Sequence, residues 1–177
     1  FTNRLSESIR HTSFSAMGSD ISDINNDGYE DIYVVDMAVE DPVRQKQLFA
    51  VNQNYDKFHL MVKYGLYYQY PRNTLQLNNA DGTYSDIANY AGVAETEWSW
   101  APLIADFDND GWLDLIHSGG NHSYYRNNGD WTWTEYANTF DYTDTMHSFA
   151  IGDLDSNGWL DVYASYGNGY VEPDNAH

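Results

Sequence analysis

The sequence contains no cysteine, so it can form neither a disulfide framework nor a thiolate metal site, and it offers no thiol nucleophile. Basic residues are also scarce: 8 Lys and Arg face 27 Asp and Glu, which gives a formal net charge of −19 over 177 residues. A surface of this sign cannot neutralise phosphates or approach an anionic membrane, so nucleic-acid binding and charge-driven membrane binding are excluded. The partners that suit this surface electrostatically are cations.

Long apolar runs are missing as well. No stretch approaches the roughly 20 apolar residues that a membrane-spanning helix needs, so membrane insertion is not expected. The chain starts at Phe1 without a methionine or a basic-then-apolar leader, from which we expect a mature or excised segment. Despite the acidity, 16% of the residues are aromatic. That share supplies enough apolar surface for a core, so the chain is expected to fold.

An internal repeat stands out, because three nine-residue segments align without gaps. Each has Asp or Asn at positions 1, 3, 5 and 9 and glycine at position 6, and each is preceded two residues earlier by isoleucine. The residues that follow, such as those at 32–35, are β-branched and aromatic and form runs too short for helices. Each unit is therefore predicted to be a strand, a loop and a second strand. The three loops are 23–31, 106–114 and 153–161.

The spacing within these loops predicts metal coordination. Oxygens at positions 1, 3 and 5 of a tight loop converge on one point, the backbone carbonyl of position 7 adds a ligand, and position 9 closes the site. All these donors are hard oxygens in a flexible loop, which favours Ca²⁺ over zinc, copper or Mg²⁺, so three calcium sites are predicted. The ligands are Asp23, Asn25, Asp27, Asp31 and the carbonyl of Tyr29; Asp106, Asp108, Asp110, Asp114 and the carbonyl of Trp112; and Asp153, Asp155, Asn157, Asp161 and the carbonyl of Trp159.

Two other interpretations of the loops are weaker. An EF-hand needs glutamate at position 12, where this chain has Val34, His117 and Ala164, and it needs flanking amphipathic helices. Clusters of Asp, Asn and Gly also form metal-free turns held by hydrogen bonds from side chain to backbone. The loops carry three, four and three carboxylates at the matching positions, and these would repel one another without a counter-ion. This repulsion favours the calcium interpretation, and we expect Asp110→Ala to weaken calcium binding and stability while Asp86→Ala does little.

The loops resemble the D-x-[DN]-x-[DN]-G-x-x-D-[ILV] loops of FG-GAP/VCBS repeats, which build calcium-binding β-propellers such as those of integrin α-subunits. Segments 74–87 and 124–135 are predicted to be hairpins and resemble the second half of such a repeat. Segments 31–37, 72–79 and 98–106 resemble, more narrowly, the secreted ASPIC/UnbV-type, cartilage-acidic-protein-like branch of the family.

This resemblance implies an all-β fold, a partial β-propeller of about two and a half FG-GAP/VCBS-type blades with a short α-helical insertion. A propeller normally closes with about four to eight blades, so exposed sheet faces and strand edges are expected. Other copies of the chain, or the remainder of a longer chain, would cover them. The single incomplete propeller region covers 1–177, with blade one at about 14–92, its insertion at 38–72, blade two at about 98–138 and a half blade at about 147–169.

The insertion holds five of the eight basic residues of the chain. Asp41-Pro42 is predicted to begin a helix that runs to about Leu48, and segment 55–64 has apolar residues at helical spacing. These two helices either cover a blade edge or bind a partner.

Motifs for catalysis are not found. The sequence has no nucleophile-elbow motif, no phosphate-binding glycine-rich loop and no His-Glu-x-x-His, so enzymatic activity is not expected. Tryptophans can stack on sugars, but Trp112 and Trp159 occupy position 7 of their loops. Trp131 and Trp133 alternate as cross-strand partners would. One glycosylation sequon begins at Asn121.

The predicted function is that of an extracellular calcium-binding repeat protein, secreted or on the cell surface, in which Ca²⁺ acts as a structural staple. Its role would be binding, adhesion or self-assembly, in an extracellular filament or matrix. The partners would be other copies, the rest of a longer chain, an extracellular protein or a glycan. A lectin-like carbohydrate-binding module and an accessory domain of a larger secreted enzyme are the alternatives.

Overall fold

The computed structural model describes residues 2–52, 55–119, 123–137, 139 and 146–166. Within these residues the fold is mostly β-strand in several small sheets with few helices, which confirms the predicted all-β class. No sheet closes on itself in the described part, so the propeller and its blade boundaries stay predictions. The sequon residue Asn121 lies outside the described residues. In the part of the chain that is described, no helix combines the length and the apolar character that crossing a lipid bilayer requires.

The elements are short throughout. In chain order the strands are β1 (Thr12–Ser13), β2 (Gly18–Ser22), β3 (Asp31–Val35), β4 (Met37–Ala38), β5 (Gln69–Tyr70), β6 (Thr74–Asn78), β7 (Tyr84–Asp86), β8 (Glu97–Trp98), β9 (Pro102–Ala105), β10 (Asp114–His117), β11 (Tyr124–Asn127), β12 (Trp133–Tyr136), β13 (Met146–Gly152) and β14 (Asp161–Tyr166). The helices are α1 (Leu5–Ser8), α2 (Pro42–Asn52), α3 (Tyr55–Lys63) and α4 (Ala88–Ala91).

Two four-stranded antiparallel sheets share one topology. The first has the order β2-β3-β6-β7, and the second has the order β9-β10-β11-β12. A nine-residue loop joins the first two strands of each sheet, and a tight turn joins the last two. β13 and β14 form a third antiparallel pair around the third loop. The strand-loop-strand units and both predicted hairpins are therefore confirmed.

The first two sheets share a core. β3 alternates buried and half-buried positions, and its Tyr33 and Val35 are fully buried in a cluster that continues through Leu115 and Tyr125 of the second sheet. The backbone N–H of Ile104 on β9 also donates to the Asp20 carboxylate on β2 at 2.8 Å. The two sheets therefore pack directly against each other, which brings their loops into the same neighbourhood.

The insertion forms the two predicted helices. Asp41 accepts a hydrogen bond from the Val43 N–H at 2.7 Å, as expected of a residue that caps a helix beginning at Pro42. α2 continues to Asn52, beyond the end predicted near Leu48. α3 packs on the β1–β5 pair, because Phe58 stacks on Tyr70 with ring centroids 5.7 Å apart.

Two expectations from the sequence are wrong. The Asp86 side chain is only 4% exposed and pairs with Arg72 Nη2 at 2.6 Å, while His11 Nε2 lies 2.8 Å from the same oxygen. Removing one member of a buried ion pair is strongly destabilising, so replacement of Asp86 is not expected to be mild. Trp131 does not alternate with Trp133 on one strand, because Trp131 lies in the turn with φ +70° and β12 begins at Trp133.

Asn73 is a fully buried polar side chain that joins several segments. Its Nδ2 donates to Thr96 Oγ1 at 2.6 Å and to the Val93 carbonyl at 2.9 Å. Its Oδ1 accepts the Asp36 N–H at 2.7 Å. A single side chain thus satisfies the polar groups that follow β3 and α4, which are distant in sequence.

Asn73→Ala is expected to lower the free energy of unfolding by about 2–4 kcal/mol, because it leaves several buried polar groups without partners. Chemical denaturation measures this loss. Asn79→Ala is the matched control, since Asn79 is exposed and its side-chain bonds lie at the surface. Equal losses in the two variants would contradict the role assigned to Asn73.

Candidate metal sites

The three loops have the same backbone conformation. Position 4 is left-handed in each, with φ of +57° at Asn26, +55° at Asn109 and +60° at Ser156. Position 6 also has positive φ, between +88° and +90°, and glycine is the residue that adopts this conformation without strain. The shared sequence pattern therefore forms the same turn in all three loops. The position 6 glycines are Gly28, Gly111 and Gly158.

The carboxylate at position 1 holds each loop closed. In the first loop, Asp23 accepts the N–H of Asp27 at 3.0 Å and the N–H of Gly28 at 2.7 Å. Asp106 and Asp153 accept the corresponding pairs of amides. The position 5 side chain in turn accepts the N–H of position 7, which brings Tyr29, Trp112 and Trp159 into the turn. The hydrogen bonds of a metal-free turn are thus present, and the carboxylate oxygens at position 1, with one such bond each, retain capacity for a cation.

The carboxylate at position 9 joins the loop to a neighbouring strand. Asp31 is fully buried and accepts the N–H of Ile24 at 3.1 Å and that of Asn78 on β6 at 2.7 Å. Asp114 is buried in the same way and accepts the N–H of Phe107 and of Asn127 on β11, as well as the Tyr124 hydroxyl at 2.8 Å. Among the described residues, Asp161 accepts the Leu154 amide alone, at 2.8 Å.

Burial raises the pKa of Asp31 and of Asp114 above the ordinary value for aspartate, although the backbone amides that they accept act in the opposite direction. Neighbouring carboxylates add to this effect, Asp27 and Asp23 for Asp31 and Asp108 for Asp114. The loops therefore concentrate negative charge where it is poorly solvated. A cation placed among these carboxylates would favour their ionised forms.

Carboxylate oxygens converge in two of the loops. One oxygen from each of Asp106, Asp108 and Asp114 lies within 4.8 Å of the other two, and Asp153, Asp155 and Asp161 meet the same condition. Calcium binds oxygen at about 2.3–2.6 Å, so ligands of one ion lie within about 5 Å of one another, and the donors fit Ca²⁺ in chemistry and spacing. The first loop has Asn25 at position 3, so a calcium ion there would be bound by the amide oxygen of Asn25 together with the carboxylates of Asp23 and Asp31.

A comparison with protein families matches part of the chain. The family model described as FG-GAP-like repeat matches residues 48–117. The match supports the predicted relationship of this chain to the FG-GAP family. The FG-GAP-like segment contains the second hairpin of the first sheet, the second loop and the β9–β10 pair around it. A search of curated proteins finds no match to the chain.

A cation from a neighbouring strand contacts the second loop, and the sequence analysis missed it. Arg126 on β11 pairs with the Asp108 carboxylate through Nε and with Asp110 Oδ2 through Nη2 at 2.7 Å. These contacts raise the pKa of Arg126. The corresponding position of the first sheet is Leu77, so this pairing distinguishes the second loop from the first. Both carboxylates are predicted metal ligands; Asp108 also belongs to the group with Asp106 and Asp114, whereas Asp110 does not.

Successive loops are also linked to each other. Asn26 Nδ2 in the first loop donates to the Gly111 carbonyl of the second at 3.0 Å. Asn109 Nδ2 donates in the same way to the Gly158 carbonyl of the third loop at 3.3 Å. Position 4 of one loop thus contacts position 6 of the next, and the three predicted metal sites form a connected series.

Asp114→Ala is expected to lower the free energy of unfolding of the metal-free protein by about 3 kcal/mol or more, because it leaves two backbone amides and a tyrosine hydroxyl without their acceptor. Asp161→Ala removes the same side chain from the same position of the third loop but costs about 1 kcal/mol, since one amide loses its partner. Denaturation in the presence of a chelator measures both. A larger loss at Asp161 than at Asp114 would contradict the analysis of position 9.

Proposed function

We propose that this protein is an extracellular calcium-binding repeat protein of the FG-GAP type, which acts through binding and not through catalysis. The observation that carries the proposal is the threefold recurrence of one loop conformation, with acidic side chains at fixed positions. Two of these loops bring three carboxylates to one point. A chain with a net charge of −19 gains from counter-ions at such points.

Bound Ca²⁺ would supply positive charge among oxygens that the loop already holds together. Position 9 matters most for stability, because Asp31 and Asp114 also fix the third strand of their sheets through Asn78 and Asn127. An ion bound in the folded state and not in the unfolded chain adds its binding free energy to the stability of the sheet. Calcium would therefore act as a staple for the repeat. A loop of this kind suits the millimolar calcium outside cells, which supports the proposed location.

Adhesion or self-assembly is supported by the third unit. Leu154 at position 2 of its loop is 75% exposed, whereas Ile24 at position 2 of the first loop is 4% exposed. Tyr163 is 69% exposed, whereas the equivalent Tyr33 is fully buried. In the first sheet these positions are covered by the neighbouring sheet. The same face of the third unit would suit a further sheet, from a second copy or from a longer chain.

Calcium binding is tested by isothermal titration of the metal-free protein with Ca²⁺, comparing Asp27→Ala with Glu30→Ala. Both variants remove one exposed carboxylate from the first loop, but only Asp27 is a predicted ligand. We expect Asp27→Ala to weaken one site by about tenfold or more, and Glu30→Ala to leave all sites intact. Saturating calcium should raise the melting temperature of the wild-type protein by several degrees.

Absence of any calcium heat in the wild-type protein, or equal weakening in the two variants, would refute the proposed sites. Sedimentation velocity of the same samples tests assembly. A species heavier than the monomer that calcium stabilises would support self-assembly, and a monomer under all conditions would argue against it.

A further inference from the structure

A second candidate site lies away from the metal loops. β3 begins at the predicted ligand Asp31, and Asp36, directly beyond its other end, lines a cavity of about 540 Å³. This volume falls within the range of small-molecule sites, about 300–1,000 Å³. The walls come from the segment before β2, from β4 and β8, and from the two insertion helices, which contribute Gln45 and Lys57.

Aromatic side chains form much of the wall. Trp98 is 47% exposed and Tyr70 is 39% exposed, and Phe14 lies with them along the cavity. The Tyr70 ring is held in place, because it stacks on Phe58 of α3, and the backbone of Trp98 is paired with β4 through β8. A ring that is exposed yet fixed by its neighbours offers a flat surface to a ligand at little entropic cost.

The cavity also contains a buried acceptor with unused capacity. Asp36 is 1% exposed, and its Oδ2 accepts the Ser15 N–H at 2.7 Å. Its Oδ1 is buried and makes no hydrogen bond of good geometry with a described residue. Burial raises the pKa of this carboxyl, and the backbone amides of Ser15, Met37 and Phe14 act in the opposite direction. Leaving a buried carboxylate oxygen without a donor is costly, so a ligand that supplies an O–H or N–H would gain from contact with it.

The charges around the cavity select the ligand. Two basic residues, Lys57 and Arg72, and two acidic residues, Asp36 and Glu95, line the cavity, so the formal charges of its lining balance. Arg72 is paired with Asp86. The Lys57 ammonium lies 5.4 Å from the centre of the Phe14 ring, so a cationic ligand at this ring would be repelled by Lys57. An anionic ligand would meet Asp36 instead. A neutral ligand that combines hydroxyl donors with an apolar ring face avoids both conflicts.

We propose that this cavity binds a neutral saccharide residue, with a face of the sugar ring on Trp98 or Tyr70 and a hydroxyl group donating to Asp36. This site is independent of the proposed calcium loops, since it lies at the other end of β3. The two proposals can therefore fail separately. Asp36, Tyr70 and Trp98 are its specificity-determining residues.

The test is saturation-transfer difference NMR on the full chain in calcium-containing buffer. The probes are the methyl glycosides of glucose, galactose, mannose, xylose and N-acetylglucosamine, with tetramethylammonium as the cationic alternative. We expect transfer to at least one glycoside and none to tetramethylammonium. Trp98→Ala should weaken the binding glycoside by about tenfold. Trp131→Ala is the matched control, because Trp131 is equally exposed at 47% and does not line this cavity.

Asp36→Asn provides a second variant that retains an oxygen for the Ser15 amide while placing an N–H donor where Oδ1 accepts. It should weaken the glycoside by about tenfold or more and leave the melting temperature unchanged or higher, since it removes a buried charge. The proposal is overturned if no glycoside receives transfer, if tetramethylammonium binds instead, or if Trp131→Ala weakens binding as much as Trp98→Ala. Retention of full affinity in Asp36→Asn would overturn the role of this carboxylate.

Discussion

The first two sheets depend on the buried carboxylate at the ninth position of their loops. In the first two sheets this group accepts one amide from its own loop and one from the third strand, so it fixes the loop, the second strand and the hairpin relative to one another. Burial makes its ionised form unfavourable unless donors or a cation compensate. Amides supply part of that compensation at Asp31 and Asp114, and the proposed calcium would supply the rest.

The loops are alike in backbone and unlike in charge. The first has an amide at its third position, the second contains four carboxylates and is contacted by Arg126 of β11, and the third has three carboxylates in a more exposed setting. Arg126 takes two of the carboxylates that a metal would otherwise use, so an ion entering the second loop has to compete with a tethered guanidinium. Equal affinity at the three sites is therefore not expected from the geometry.

Local patterns in the sequence were sufficient for the loops, the hairpins and the insertion helices. Glycine at a position of positive φ, Asp41 before Pro42 and β-branched runs act over a few residues, and the structure agrees with each of them. Contacts between distant segments were not predictable. The sequence predicts Asp86 to be a surface residue of a hairpin, yet its side chain is buried against Arg72 and His11. The environments of Asn73 and Arg126 likewise depend on residues far along the chain.

The links between successive loops run in one direction, from a side chain of the earlier repeat to a backbone carbonyl of the later one. The receiving repeat contributes no side chain to this bond, so any duplicated unit that keeps its glycine would inherit the acceptor at once. The contact made by Asn26 and Asn109 therefore constrains the side chain of the donating loop, whereas in the accepting loop it depends only on the backbone.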